Sequence, residues 1–148
     1  MQLQDTIILL VDHDYGHANL VKSSFKSKGL TNQVKHFSSA LAVLKYLFSG
    51  EINHDQIQYI MLLDINMPGL DSNRILGKMK EHEHTNKIPV VMLTGSEDLV
   101  NINGHYELGF SSCLSKPLRY QEFEKILGNI GALIANVNNS CMKKLVLG

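Results

Sequence analysis

Two apolar runs in this chain end in carboxylates. TIILLV, residues 6–11, leads into Asp12, His13 and Asp14, and YIMLLD, residues 59–64, ends in Asp64. A third run, IPVVML at 88–93, leads into Thr94, Gly95 and Ser96, and a fourth, SSCLS at 111–115, into Lys116 and Pro117. Ligands of doubly wound sheets bind beyond the carboxyl ends of the strands. If each run is a strand of one such sheet, two acidic clusters, a hydroxyl and a lysine share one rim. Close carboxylates repel, and a divalent cation relieves the repulsion. A lysine opposite them supplies a point charge for a phosphoryl oxygen, and a hydroxyl can hydrogen-bond another. Each residue alone is ordinary: an Asp after a strand is more often a helix cap, and a lone Thr or Lys there is more often surface. All four on separate strand ends point to phosphoryl chemistry. A cis Lys116–Pro117 bond would aim the lysine inward.

The elements needed to position these groups are visible as alternating patterns. A fifth apolar run is QVKHF, residues 33–37, and three of the five are nearly continuous in Ile, Leu, Val and Met. Such strands are covered on both faces, as in a parallel sheet. Between them lie helical periods. Residues 15–28 place Ala18, Val21 and Phe25 on one face, with Gly29 as the stop. Ser38 or Ser39 can cap the next helix, with Leu41, Leu44, Leu47 and Phe48 inward and Gly50 after it. Residues 72–82 give Ile75, Leu76 and Met79. Residues 119–137 give Phe123, Ile126, Leu127, Ile130, Leu133, Ile134 and Val137, the strongest amphipathic signal. The stretch 97–108 carries Asn101, Asn103 and Gly104 and predicts only a loose helix. The alternation is an α/β, (βα)5 flavodoxin-like doubly wound parallel sheet, expected in strand order 2-1-3-4-5. One domain over 1–138 and a C-terminal tail, 139–148, are expected.

Composition bounds the function. Apolar residues make up 44% and charged residues 19% of 148, as in a soluble globular domain. Fourteen basic and fourteen acidic residues cancel, and no basic patch supports nucleic-acid binding. Cys113 and Cys141 lack zinc spacing and read as free thiols of a reducing compartment. The opening MQLQDT is not a signal peptide, and no apolar run nears a membrane span. A cytoplasmic protein is expected, with neither nucleic acid nor membrane as partner.

The motifs LLVDHD, MLLDINMPGLD, VVMLTGS and CLSKP, over roughly residues 5–137, resemble the receiver domain of bacterial two-component response regulators. The stretch MKEHEHTNKIPVVMLT and the long last helix are similar to stand-alone receivers associated with bacterial phytochromes. The resemblance implies that Asp64 is the phosphoacceptor, attacking a phosphohistidine on a sensor histidine kinase or phosphotransfer protein. Asp12 would help hold magnesium together with Asp64, and Asn66 would offer its backbone carbonyl. Thr94 and Lys116 would bind the phosphoryl group. The implied protein is not an enzyme; it signals to a downstream protein partner, and a homodimer is open.

Departures from that pattern matter as much. The second acid of the usual pair, a direct metal ligand, is here His13. Magnesium prefers oxygen ligands, so an imidazole weakens its site and suits manganese or zinc better. Protonated, His13 would replace part of the cation's charge. His13 pointing to solvent is the plain alternative. Asp14 reads as a helix cap. The switch position, three residues before Lys116 and usually aromatic, is Cys113, which weakens the standard signalling linkage. The usual Asp-Gly after the Met-Pro turn is Asp71-Ser72, expected to alter only the loop. His82 and His84 would face different ways on a helix, and His17, His36, His54 and His105 show no ligand spacing. These losses support an alternative: a pseudo-receiver, a binding module that does not depend on phosphorylation. A haloacid-dehalogenase-type phosphatase built on Asp12-x-Asp14 is a third reading, but no acidic pair follows the lysine and no cap domain is visible.

Overall fold

A computed structural model describes residues 6–53, 56–68, 71–95 and 112–127. The chain runs β1 (Thr6–Val11), α1 (Tyr15–Ser27), β2 (Val34–Phe37), α2 (Ala40–Leu47), β3 (Gln58–Asp64), α3 (Asp71–Glu81), β4 (Val90–Thr94), β5 (Ser112–Ser115) and α4 (Tyr120–Leu127). The strands form one sheet, every neighbouring pair parallel, in the order β2-β1-β3-β4-β5. This is the flavodoxin-like order expected from the alternation.

The continuity of the apolar runs follows from burial on both sheet faces. Successive side chains of a strand point to opposite faces. Leu9, Val11, Tyr59, Met61 and Leu63 pack with α2 and α3, while Ile8, Leu10, Ile60 and Leu62 pack with Ala18, Val21 and Phe25 of α1 and Phe123 of α4. Phe25 stacks on Phe123 with ring centroids 4.7 Å apart, so α1 and α4 close one layer together.

Helix starts follow local chemistry. The Asp14 side chain accepts the His17 N–H and caps α1, as expected. Gly29, which ends this helix, has φ +94°, a conformation that costs a side-chain-bearing residue energy. Ser39 caps α2 by accepting the Ala42 N–H at 3.1 Å. Packing against the sheet then decides which face of the helix is buried, and it corrects the expected inward face. Ala40, Val43 and Leu47 are buried, whereas Leu41 is 67% and Phe48 39% exposed; Leu44 packs only at the margin. The choice went to the stripe that lets the small Ala40 approach the sheet. Ser39→Ala should cost about 1 kcal/mol of stability, read as a lower urea midpoint at unchanged slope.

Beyond Glu81 the helix gives way to a turn, held by the buried Thr85 hydroxyl donating to the Met79 carbonyl at 2.7 Å. His82 and His84 therefore do not diverge as they would on a helix. Their rings lie 5.8 Å apart, and both meet the Phe48 ring, at 4.8 and 4.9 Å. Cys113 also differs from expectation. It is disulfide-bonded rather than a free thiol. Local spacing does not signal this bond, because disulfide geometry is set by the distance between chain segments in space. Cys141, the loose helix expected at 97–108, residues 128–137 of the last helix, the tail 139–148 and His54 and His105 lie outside the described residues. Among the described residues no helix is long and apolar enough to cross a membrane.

Candidate functional site

Strand register brings the carboxylates together. Val11 pairs with Leu63, so Asp12 and Asp64, one step further, leave neighbouring strands at the same level. Both are fully buried. On β4 and β5, Thr94 pairs with Ser115, and Lys116 follows directly. Its ammonium reaches back across the rim, 3.2 Å from Asp64 Oδ2 and 3.3 and 3.4 Å from the two oxygens of Asp12. The Lys116–Pro117 bond is cis.

Each carboxylate is also held by backbone just beyond its strand. The Asp14 N–H donates to Asp12 Oδ1 and the Asn66 N–H to Asp64 Oδ1, both at 2.9 Å. His13 does not point away: its Nδ1 lies 3.3 Å from Asp64 Oδ2, though the side chain is 41% exposed. Thr94 is buried, but its hydroxyl donates to the Leu114 carbonyl at 3.5 Å and so faces β5. The structure thus gathers Asp12, His13, Asp64 and Lys116, keeps Thr94 one strand away, and places Cys113 in β5 opposite Met92.

Residues 8–128 match the response regulator receiver domain family. This chain belongs to that family. Among relatives of the receiver, the probable methanogenesis regulatory protein FilR2 of Methanothrix harundinacea is 31% identical over 84% of this chain and 80% of its own. Response regulator Rcp1 of Synechocystis is 27% identical over 84% of this chain and 85% of its own. A solved structure of the bacteriophytochrome response regulator AtBRR superposes with TM-score 0.69 at 28% identity, covering 88% of this chain and 94% of that one. The bacteriophytochrome response regulator RtBRR also superposes at 0.69, with 26% identity over 84% of this chain and 77% of that one.

The electrostatics of this receiver divide its two acids. Burial pushes the Asp12 carboxyl up, but the His17 hydrogen bond, the Asp14 amide and the Lys116 charge outweigh it, leaving a pKa of about 2. For Asp64 burial wins. Its pKa is raised, with the Asp12 charge adding to the rise and the Asn66 amide and Lys116 opposing it. Burial disfavours charged Lys116, yet the attraction of Asp64 and Asp12 prevails and raises its pKa. At neutral pH Lys116 is an ammonium held between the two acids. That is the counter-charge such a pair needs to stay buried.

Three supporting residues escaped sequence reasoning. His17 is buried and its Nδ1 lies 2.6 Å from Asp12 Oδ2. His36 Nε2 sits 2.8 Å from the Asp12 carbonyl. Ser72 is buried and donates to the Asp64 and Ile65 carbonyls at 2.8 and 3.3 Å. Ser72 therefore pins the backbone under Asp64 and does more than alter the loop. A hint lay in the helix periods: His17 and Ser72 sit in first turns at inward positions, where a polar side chain needs a buried partner.

The residues suit a divalent cation. One ligand atom from each of Asp12, His13 and Asp64 lies within 4.8 Å of the others. Two carboxylate oxygens and one imidazole nitrogen form a mixed donor set. Its two carboxylate oxygens are the hard donors that a divalent cation takes, and the imidazole is a softer third donor.

Proposed function

We propose that this receiver takes a phosphoryl group onto Asp64 from a phosphohistidine of a sensor histidine kinase or phosphotransfer protein and signals by protein contact. The reading rests on the Lys116 ammonium, which lies 3.2–3.4 Å from buried oxygens of both acids at one rim. In the reaction an Asp64 oxygen attacks phosphorus as the phosphorus–nitrogen bond of the donor breaks. A bound divalent cation, magnesium or manganese, would neutralise phosphoryl charge. Asp12, Asp64 and His13 would hold it, with the Asn66 carbonyl as a further ligand. Lys116 draws the developing negative charge on the other side. The Asn66 N–H fixes Asp64 Oδ1, leaving Oδ2 toward Lys116 and His13 as the attacking atom. Thr94 would have to turn from Leu114 to reach the phosphoryl group, and that turn is the motion through which phosphorylation reaches β5 and its neighbours. On this reading the chain works in the cytoplasm as a switched signalling module, without turnover of its own.

The test is incubation with acetyl phosphate and magnesium or manganese, followed by intact mass measurement and mapping of the acyl phosphate. A gain of one phosphoryl group on Asp64 is expected. No mass gain with either metal, and no binding of beryllofluoride, would replace this reading with the pseudo-receiver. The His13–Asp64 contact favours that second reading, since an imidazole and not a carboxylate stands beside Asp64.

The same contact yields a prediction. His13→Asp adds an oxygen ligand and a negative charge, and should tighten magnesium binding about tenfold or more, since affinity follows ligand charge. Isothermal titration calorimetry checks it. Unchanged affinity would place His13 outside the cation site.

A further inference from the structure

Among the buried residues of α1, His17 stands beside Ala18, Val21 and Phe25 as the polar one. Both of its ring nitrogens are engaged. Nδ1 lies 2.6 Å from Asp12 Oδ2, and Nε2 accepts the Leu118 N–H at 3.1 Å. A backbone N–H can only donate, so Nε2 carries no proton. The neutral ring then has its proton on Nδ1, directed at Asp12. The tautomer is dictated by the fold.

This ring joins two segments 101 residues apart. One carries Asp12; the other is the segment of Lys116, Pro117 and Leu118 that leads from β5 to α4. Leu118 is itself buried against the α1–α4 layer, so the second anchor is firm. An apolar residue would fill the same space without linking them.

We propose that His17 is a positioning residue of the acidic pocket. Together with the Asp14 N–H on Oδ1, its contact with Oδ2 holds the Asp12 carboxylate in one orientation at the pocket, and it fixes the backbone that carries Lys116. Ligand carboxylates held in this way by an outer partner bind metal more tightly, because the ligand does not have to be ordered on binding. The inference deepens the receiver reading, since it concerns the cation that phosphoryl uptake would use.

Two substitutions of nearly equal shape separate hydrogen bonding from packing. His17→Asn keeps a side-chain donor near the place of Nδ1; His17→Leu keeps none. Magnesium and manganese affinities would be measured by calorimetry on folded protein, alongside the acetyl phosphate rate as a function of cation concentration. His17→Leu should weaken cation binding about 10- to 100-fold, while His17→Asn should stay within about threefold of the original. In kinetics the loss should appear in half-saturation by cation and not in half-saturation by acetyl phosphate. A folded His17→Leu protein with unaltered cation affinity would overturn the proposal.

Should His17→Leu fail to fold, nitrogen-15 NMR of the unsubstituted protein decides. The His17 ring should show a single tautomer with Nδ1 protonated, with and without magnesium. A ring protonated at Nε2, or averaging between tautomers, would overturn the proposal. The outcomes separate the two claims. Weakened cation binding in a protein that never takes up phosphate would sink the phosphoacceptor reading and leave His17 in its role. Phosphorylation of Asp64 with an indifferent His17→Leu variant would do the reverse.

Discussion

Asp64→Asn is expected to abolish phosphoryl uptake and, at the same time, to make the protein more stable. The first effect follows from chemistry: an amide oxygen does not displace the donor from phosphorus, so the mass gain should vanish. The second follows from the raised pKa of Asp64, caused first by burial and then by the Asp12 charge. A fold that raises a carboxyl's pKa binds its proton more tightly than the unfolded chain does. The ionised form therefore costs stability at neutral pH. The amide is neutral and nearly isosteric. Its oxygen can still accept the Asn66 N–H, and Lys116 keeps Asp12 as its counter-charge.

The gain should be about 1 kcal/mol, or roughly 2–4 °C in a domain of this size. Its pH dependence has a definite sign. The advantage of the variant should be full at neutral pH. It should close as pH falls and Asp64 itself takes up a proton, vanishing below the ordinary carboxyl value of 3.8. Asp12 behaves oppositely. With a folded pKa lowered to about 2, it contributes stability above 3.8 that is lost as pH falls toward 2. Thermal melts of the two proteins from neutral to acid pH measure both. A variant that melts below the parent at neutral pH would contradict the account of Asp64 as a strained carboxylate.

Lys116→Ala should have the opposite consequence. Removing the ammonium leaves Asp12 and Asp64 buried side by side without their nearest permanent positive charge. Breaking a buried ion pair from one side costs about 3–5 kcal/mol. Partial protonation of Asp64, already pushed in that direction, should hold the loss to about 3 kcal/mol. Divalent cations should then stabilise this variant more than the parent. They replace a missing charge in the one and compete with Lys116 in the other. Urea unfolding with and without magnesium tests it. A variant as stable as the parent, or indifferent to magnesium, would mean that Lys116 is not the counter-charge of the pair.

Much of this protein was determined by its sequence alone. The continuous apolar runs from Ile7 to Val11 and from Tyr59 to Leu63 require cover on two faces, and their alternation with helical periods leaves few arrangements besides a parallel sheet. Asp12, Asp64 and Lys116 were legible because each ends or directly follows such a run, and strand ends in a parallel sheet share a rim. Asp14 was legible as a cap, and the α2 cap was narrowed to Ser38 or Ser39, since a cap is a contact across three residues; the structure selects Ser39.

Tertiary structure decided what depends on partners distant in the chain. His17 finds Leu118, 101 residues on; Ser72 finds Asp64; Cys113 forms a disulfide that no spacing announces. Two apolar stripes on α2 were available, and packing against the sheet chose the one through Ala40, Val43 and Leu47. Thr94 stands at the expected strand end, but its hydroxyl turns to Leu114. Periodicity encodes which side of an element is apolar, because that is a property of neighbours along the chain. Hydrogen bonds between buried polar groups are set by distance and direction in space, and those exist only once the layers have closed.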